Sequence, residues 1–380
     1  MSDPDLAGHD TGPHAQRVAV IGTGLVGASI GLTVRRAGLA REITGYDVDA
    51  DELDAAVEAG AVTHPASSAA EAAAGAEVVW LAVPASAVGA VAAEVGPAML
   101  PGAVLTDAAS VKTRVVELLQ AAAPAQVHVI GGHPMAGSAE TGAAAASAEL
   151  FVGATWLLTP TTHTDPQAYR RLHGMIAAIG ARVIAVAPQR HDLLVAVVSH
   201  LPQLAATTLM NLAADRARDE HAGLLLLAAG GFRDATRVAA SNPDLWLDVC
   251  AQNRDAIVAV LDEYRDRIDA LRTSLIKSDD ARLRHELAAA RSARRALPGK
   301  TVPEGALIEL HLAIPDRPGV LADVTTTVGG AGVNIEDVTI EHAPEGGQGR
   351  LLLVLAGEAA AAAARQALED RGFHVATERP

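Results

Sequence analysis

Four short strings in this chain carry side chains able to do chemistry. IGGHPMAGS (130–138) places His133 between two glycines and a proline. An unperturbed histidine titrates near ~6.5, so a neutral imidazole is available as a base at pH 7. TDAASVK (106–112) offers the Ser110 hydroxyl and the Lys112 ammonium. HDLLVAVVSHLPQ (191–203) holds His191 and His200 in an apolar helical run. GGFRDATR (230–237) sets Arg233 and Arg237 after a Gly-Gly turn, where forked guanidinium donors suit a carboxylate. Each string also has a plainer reading. Ser110 could cap a helix, Lys112 could be a solvated helix charge, His200 could be a packed core group, and one arginine could only pair with Asp234. No Cys/His spacing resembles a zinc site and Cys250 is the single cysteine, so no metal is expected and no internal disulfide can form.

A fifth string says what these groups would work beside. VAVIGTGLVGASI places Gly22, Gly24 and Gly27 in a G-x-G-x-x-G array between a strand and a helical stretch. The first glycine permits the tight turn, the second lets backbone approach a pyrophosphate, and the third lets helix and strand pack closely. The helix N-terminus adds unpaired N–H groups and a positive dipole. Asp47 follows in GYDVD, 20 residues past Gly27, where a carboxylate would accept from the adenosine ribose hydroxyls. Asp49, Asp51 and Glu52 would repel a 2′-phosphate, which favours NAD over NADP. Leu25 and Val26 inside the array, and Val83–Pro84 at the end of the EVVWLAV strand, complete the expected cofactor contacts. A nicotinamide site with a histidine, a serine and an arginine fits oxidation of a hydroxylated carboxylic acid.

The elements that must position these groups follow from periodicity. After a polar tail (1–16), residues 17–187 alternate apolar runs (RVAVIG, EITGYD, EVVWLAV, AVLTDA, VHVIGG, TWLLTP, RVIAV) with alanine-rich helical stretches. That pattern predicts a mostly parallel, doubly wound α/β sheet covered on both faces, with Ser110, Lys112 and His133 at its carboxyl edge. Residues 188–296 read as an all-helical domain, 297–305 as a Pro/Gly-punctuated linker, and 306–380 as a small α+β module. At 380 residues, 50% hydrophobic and only 2% aromatic, the chain can build such cores from Ala, Val and Leu. A net charge of -15 argues against nucleic acid as a partner. The polar N-terminus and the lack of an uninterrupted membrane-length apolar run make a soluble cytoplasmic protein the expectation.

Taken together, IGTGLVGASI, TDAASVK, GGHPMAGS, VVSHLPQ and GGFRDATR followed by PDLWLD resemble the prephenate dehydrogenase family over the first ~296 residues. The resemblance implies NAD-dependent oxidative decarboxylation of prephenate to 4-hydroxyphenylpyruvate in tyrosine biosynthesis, by a homodimer. It makes His133 the catalytic base and Ser110 the group that orients it. Arg237 becomes the binder of a substrate carboxylate, with His200 beside the substrate and Trp246 near the partner subunit's site; Lys112, from its place at the sheet edge rather than from the resemblance, is also expected to meet the substrate. Where the family often has a second histidine, in S-H-L-P-H, this chain has Gln203, which leaves arogenate open as the substrate. No helical segment precedes Arg17, so a fused chorismate mutase is not expected.

The segment LIELHLAIPDRPGVLADVTTTVGGAGVNIEDVTIEH resembles an ACT domain, a ferredoxin-like module. This implies an amino-acid effector, tyrosine, bound near Asp316, Pro318 and Gly319 of one turn and Asn334 and Ile335 of another. A β-hydroxyacid dehydrogenase is a weaker reading, because its lysine would have to be Lys277 on an exposed helix face. An NAD- and amino-acid-sensing regulator is weaker too, because it leaves Ser110, His133 and Arg237 without work.

Overall fold

The computed structural model describes residues 15–137, 140–219, 223–297, 307–315, 320–341 and 349–378. These form two compact units, Met1–Asp280 and Ala281–Pro380.

The first unit begins with strand β1 (Ala15–Ile21), helix α1 (Leu25–Arg36), β2 (Ala40–Tyr46), α2 (Ala50–Glu58) and the two-residue β3 (His64–Pro65). It continues through α3 (Ala69–Ala73), β4 (Val78–Leu81), α4 (Val88–Val95), β5 (Val104–Asp107), α5 (Thr113–Ala122) and β6 (His128–Val129). The six strands form one parallel sheet in the order β3-β2-β1-β4-β5-β6. Its central strands carry apolar runs, Val18–Ile21 of β1 and Val78–Leu81 of β4, because both faces are covered there. Val18, Val20, Val78, Trp80 and Val104 pack into one core, while Ala19, Ile21, Val79, Leu81 and Leu105 pack into the other. The strand order reverses between β1 and β4, and ligands of such sheets bind at the carboxyl ends beside that point.

VHVIGG, expected to be one strand of this sheet, is two. β6 stops at Val129, and after Ile130 the chain enters a separate sheet as β7 (Gly131–Pro134). β7 runs antiparallel to β8 (Thr155–Thr159), and β8 runs parallel to β9 (Arg182–Ala185), with α6 (Pro166–Ala178) between these last two. TWLLTP and RVIAV therefore belong to this three-stranded sheet and not to the parallel one. The glycine pair makes the crossing possible. A Cβ on Gly131 would lie 2.4 Å from the Thr159 hydroxyl, and one on Gly132 would lie 2.6 Å from the Asp107 carbonyl oxygen. An apolar run looks continuous in sequence, whereas the break comes from two residues without side chains.

From α7 (Pro188–Val195) onward this unit is helical. A wide π-type turn, Ala196–His200, joins α7 to α8 (Leu201–Asp219); such turns are rare and concentrate at functional sites. Then come α9 (Gly230–Thr236), α10 (Pro243–Gln252) and α11 (Arg254–Ile276). Prolines open α7 and α10, where a missing N–H costs nothing, and the Asn242 side chain accepts from the Asp244 amide at 2.8 Å. By length and composition the continuous run Pro188–Asp219 could cross a membrane. It departs from the expected absence of such a run because helicity continues through Pro202. His191, Asp192, His200 and Gln203 along it are buried, though, and bond to other protein groups.

The second unit opens with α12, which starts at the boundary (Asp280–Arg295), and continues with β10 (Leu307–Ile314), α13 (Val320–Gly330) and β11 (Ile335–Glu341). β12 (Gly349–Ala356), α14 (Glu358–Asp370) and β13 (His374–Glu378) complete it. Its antiparallel sheet has the order β11-β12-β10-β13, the ferredoxin-like arrangement. Alternate residues of β10 (Ile308, Leu310, Leu312, Ile314) and of β12 (Leu351, Leu353, Leu355) face Val324, Val328, Ala364 and Leu368 of the two helices. The closing strand β13 was not among the expected elements. The expected linker falls almost wholly outside the described residues, as does the turn holding Asp316, Pro318 and Gly319.

Candidate active site

The glycine array divides its work as its spacing suggests. Gly22 has φ of +87°, and a Cβ there would sit 2.5 Å from the Ala82 carbonyl oxygen, so only glycine fits this turn. A Cβ on Gly27 would lie 1.8 Å from the Gly22 carbonyl oxygen, which is how α1 approaches β1 so closely. Gly24 faces open space. It precedes α1, whose first turn has no side-chain cap, so the backbone N–H groups remain available to a phosphate. Asp47 ties this loop to the end of β2: its Oδ2 accepts from the Thr23 amide at 2.6 Å and its Oδ1 from the Asp49 amide at 3.0 Å. Oδ2 also accepts from the Thr23 hydroxyl at 3.4 Å, while Oδ1 keeps a further lone pair for a ribose hydroxyl. Val83 and Pro84 follow β4, with Val83 against Gly22 and Pro84 exposed; Leu25 and Val26, half-buried, begin α1. These residues fit a dinucleotide.

β5 lies one strand beyond β4, so its end is roughly 10 Å from the glycine loop at the ~4.8 Å strand spacing. There Asp107, fully buried, gathers three donors. Its Oδ1 accepts from the Gly132 amide at 3.1 Å, while its Oδ2 accepts from the Ala109 amide at 3.0 Å and from the Lys112 ammonium. Lys112 is itself completely buried. Burial lowers its pKa, and Asp107 opposes that shift. The expectation that Lys112 meets substrate therefore gives way: its charge is spent inside the protein, fastening α5 to β5.

The same crossing carries His133 into the interior. His133 Nδ1 lies 2.9 Å from His191 Nε2, and His191 Nδ1 lies 2.8 Å from Asp192 Oδ1. Asp192 also accepts from the Lys112 and Thr113 amides at 2.7 and 2.8 Å. Burial holds His133 well below the ordinary histidine range, and the neighbouring His191 and Lys112 push it the same way. His191 is lowered by burial, which its bond to Asp192 only partly offsets. Burial alone would raise Asp192, but the hydrogen bonds from His191, Thr113 and Lys112 outweigh it and keep the carboxyl ionised. His133 and His191 are thus neutral bases at pH 7.

Asn253, between α10 and α11, extends the network. Its side-chain amide donates to the Asp192 carbonyl oxygen at 3.0 Å and reaches His200 Nδ1 at 3.2 Å. With Nδ1 accepting, His200 carries its proton on Nε2, a buried atom that has no partner among the described residues. Burial lowers its pKa to about 4. Trp246 stands edge-on against this ring, 5.8 Å between centroids and 84° between planes.

The remaining expected residues sit less firmly. Ser110 is half-buried, and its hydroxyl bonds to no described residue. It is not a helix cap, since Asp192 performs that task for α5. Gln203, buried, lies 3.4 Å from the Ser241 hydroxyl. Arg237 is exposed and pairs with nothing among the described residues; neither it nor Arg233 meets Asp234. Asn334 is exposed just before β11, and Ile335 is half-buried at its start. Asp107, Asp192 and Asn253 escaped the sequence reading, and His191 was noticed without a role. The signals available were an aspartate closing a buried strand and a His-Asp pair opening an apolar helix.

Comparison with known proteins places this geometry. Residues 30–185 match the nucleotide-binding domain of prephenate dehydrogenase, 187–289 its dimerization domain, and 312–373 an ACT domain. The chain is 30% identical over 358 residues to a prephenate dehydrogenase of Bacillus subtilis (strain 168), covering 93% of this chain and 96% of that one. It is 32% identical to the cyclohexadienyl dehydrogenase of Zymomonas mobilis, covering 74% of this chain and 96% of that one. Among solved structures, prephenate dehydrogenase from A. aeolicus in complex with hydroxyphenyl propionate and NAD+ superposes with a TM-score of 0.69 at 26% identity, covering 74% of this chain and 97% of that one. Synechocystis arogenate dehydrogenase superposes with a TM-score of 0.65 at 30% identity, covering 73% and 99%.

Proposed function

The chain belongs to the prephenate dehydrogenase family and is an NAD-dependent dehydrogenase, and from that premise we propose that its substrate is prephenate, oxidised with loss of CO2 to 4-hydroxyphenylpyruvate for tyrosine biosynthesis. The observation that carries the reading is the buried His133–His191–Asp192 chain, which joins the end of β5 through the Gly132 amide bonded to Asp107, at the carboxyl edge of the sheet that bears the glycine loop.

Gly22, Gly24, Leu25, Val26, Gly27, Asp47, Val83 and Pro84 would hold NAD, which supplies the hydride acceptor. His133 keeps one ring nitrogen on His191 and offers the other to the ring hydroxyl. As hydride leaves the ring carbon, the hydroxyl proton passes to His133 and the carbon becomes a carbonyl. The carboxylate then departs as CO2, its electron pair entering the ring, and the oxygen takes back a proton as the phenol forms. The step is driven by aromatisation, so the protein's task is to position the ring and accept one proton. Ser110 orients the hydroxyl, Arg237 binds a carboxylate, and His200 Nε2–H and Trp246 stand beside the substrate.

Gln203 favours a second reading, arogenate. The Ser241 hydroxyl lies 2.7 Å from the Val238 carbonyl oxygen and 3.4 Å from the Gln203 amide oxygen, so its single proton goes to Val238. The Gln203 oxygen then remains free to accept from an ammonium, which arogenate has and prephenate lacks. Following NADH absorbance with each substrate decides between them. A higher kcat/KM for prephenate supports the first reading, a higher one for arogenate the second, and no NADH from either refutes both.

Two further properties belong to the same reading. Leu226, Leu227, Leu247, Val198 and Ile276 are exposed on the helices of a single chain, which suits burial against a second copy in a homodimer. The ACT module binds tyrosine near Asp316, Pro318, Gly319, Asn334 and Ile335 and restrains the soluble, cytoplasmic enzyme. Removing residues 300–380 should abolish tyrosine inhibition; unchanged inhibition would refute the sensor.

A further inference from the structure

The hydrogen-bond chain behind His133 has a direction, and its far end sets it. The two oxygens of Asp192 are held by backbone N–H groups at the start of α5: Lys112 donates to Oδ1 at 2.7 Å and Thr113 to Oδ2 at 2.8 Å. A backbone N–H can only donate, and a helix N-terminus favours negative charge, so Asp192 is a carboxylate. A carboxylate can only accept. The His191 Nδ1 that lies 2.8 Å away therefore carries its proton. Neutral His191 is then bare at Nε2, and His133 Nδ1, 2.9 Å away, must donate to it. What remains is His133 Nε2, without a proton.

The opposite polarity fails at the carboxylate. It would point the His191 Nδ1 lone pair at an anion, or else require a protonated Asp192 where two amides already hold the charged form. The charged and titratable groups around His191 are Asp192 on its own helix, His200 at the end of the π-type turn, His133 on β7, Lys112 at the start of α5 and Asp107 at the end of β5. Lys112 disfavours a positive His191, and Asp107 is already satisfied by three donors.

We propose that His191 and Asp192 are positioning residues that hold His133 in its Nδ1–H tautomer, so that Nε2 is bare and ready for the substrate hydroxyl before any substrate arrives. The proposal rests on reading His133 as the base. It also explains why α7 and α5 are stitched together by a carboxylate that a simple helix cap would not need to bury. Once His133 takes the proton, its Nδ1–H keeps the same acceptor, so the imidazolium forms without rearrangement.

The test has two arms. In native protein labelled with 15N-histidine, the ring nitrogens of His133, assigned by loss of signal in His133→Asn, should show a protonated Nδ1 and a bare Nε2 at neutral pH. A protonated Nε2 in the resting protein overturns the proposal, and this readout needs no substrate, so it stands apart from the choice of prephenate or arogenate. The second arm uses turnover. His191→Leu should lower kcat on the order of 10²-fold with the KM for NAD unchanged, because His133 is released to the wrong tautomer. His191→Gln should recover most of the loss, since a glutamine amide can donate to Asp192 and accept from His133. A Leu variant within about threefold of native, or a folded Gln variant no better than Leu, contradicts the proposal.

Discussion

Two sides of the candidate site are built in opposite ways. At the sheet edge and on α7 beside it, Asp107, Lys112, His133, His191 and Asp192 are all buried, and every one is bonded to backbone or to another member. On the helical side, Arg233 and Arg237 are exposed, and the latter pairs with nothing among the described residues. Under the proposed roles, the proton-accepting group is held in place before substrate binds, while the proposed carboxylate binder has no partner among the described residues. The difference is chemical. A base works only with one tautomer and one protonation state, which burial and fixed partners enforce; a guanidinium is charged at any working pH and needs no such support.

Changes on the two sides should therefore fail differently. The largest effect is expected on the buried side: Lys112→Met strands the Asp107 carboxylate and should cost roughly 3–5 kcal/mol of stability, read by denaturant unfolding. A loss under about 1 kcal/mol would show that the pair does not hold the site. Arg237→Ala should leave stability within about 0.5 kcal/mol and raise the substrate KM roughly 10–10²-fold, with little change for NAD. If stability falls instead, the arginine is structural and the contrast breaks. A third effect concerns acid. His200 drops from an ordinary ~6.5 to about 4 on folding, so between these values the unfolded chain binds more protons than the native one. Stability from this group is thus full above about pH 6.5 and declines as pH falls toward 4. Melting temperature should follow, and His200→Phe should flatten that slope; an equally steep slope would assign the acid sensitivity elsewhere.

How much of this was legible depended on whether a contact was local. The turn at Gly22 and the close helix approach at Gly27 could be read because each follows from a missing side chain within six residues. His133, Ser110 and Arg237 stood out as reactive types beside turns. Asp192 did not, because its meaning lies in a contact with Lys112, 80 residues away. Asn253 is a polar residue at a helix junction until it is seen to hold both Asp192 and His200. Lys112 misled for the same reason: lysine is mostly exposed, and only the Asp107 pair makes its burial tolerable. In the fold, helices, the parallel sheet and a small α+β module followed from periodicity and the ACT assignment from resemblance, while the strand break at Ile130 depended on two glycines tucking beneath β8.

Everything proposed for this site turns on His133 taking the substrate proton. His133→Asn keeps a polar group of similar size on β7 but removes the base, so the direct measurement is its turnover together with NAD affinity. The kcat of His133→Asn should fall roughly 10²–10⁴-fold with NAD binding unchanged. Near-normal turnover in that variant would contradict it.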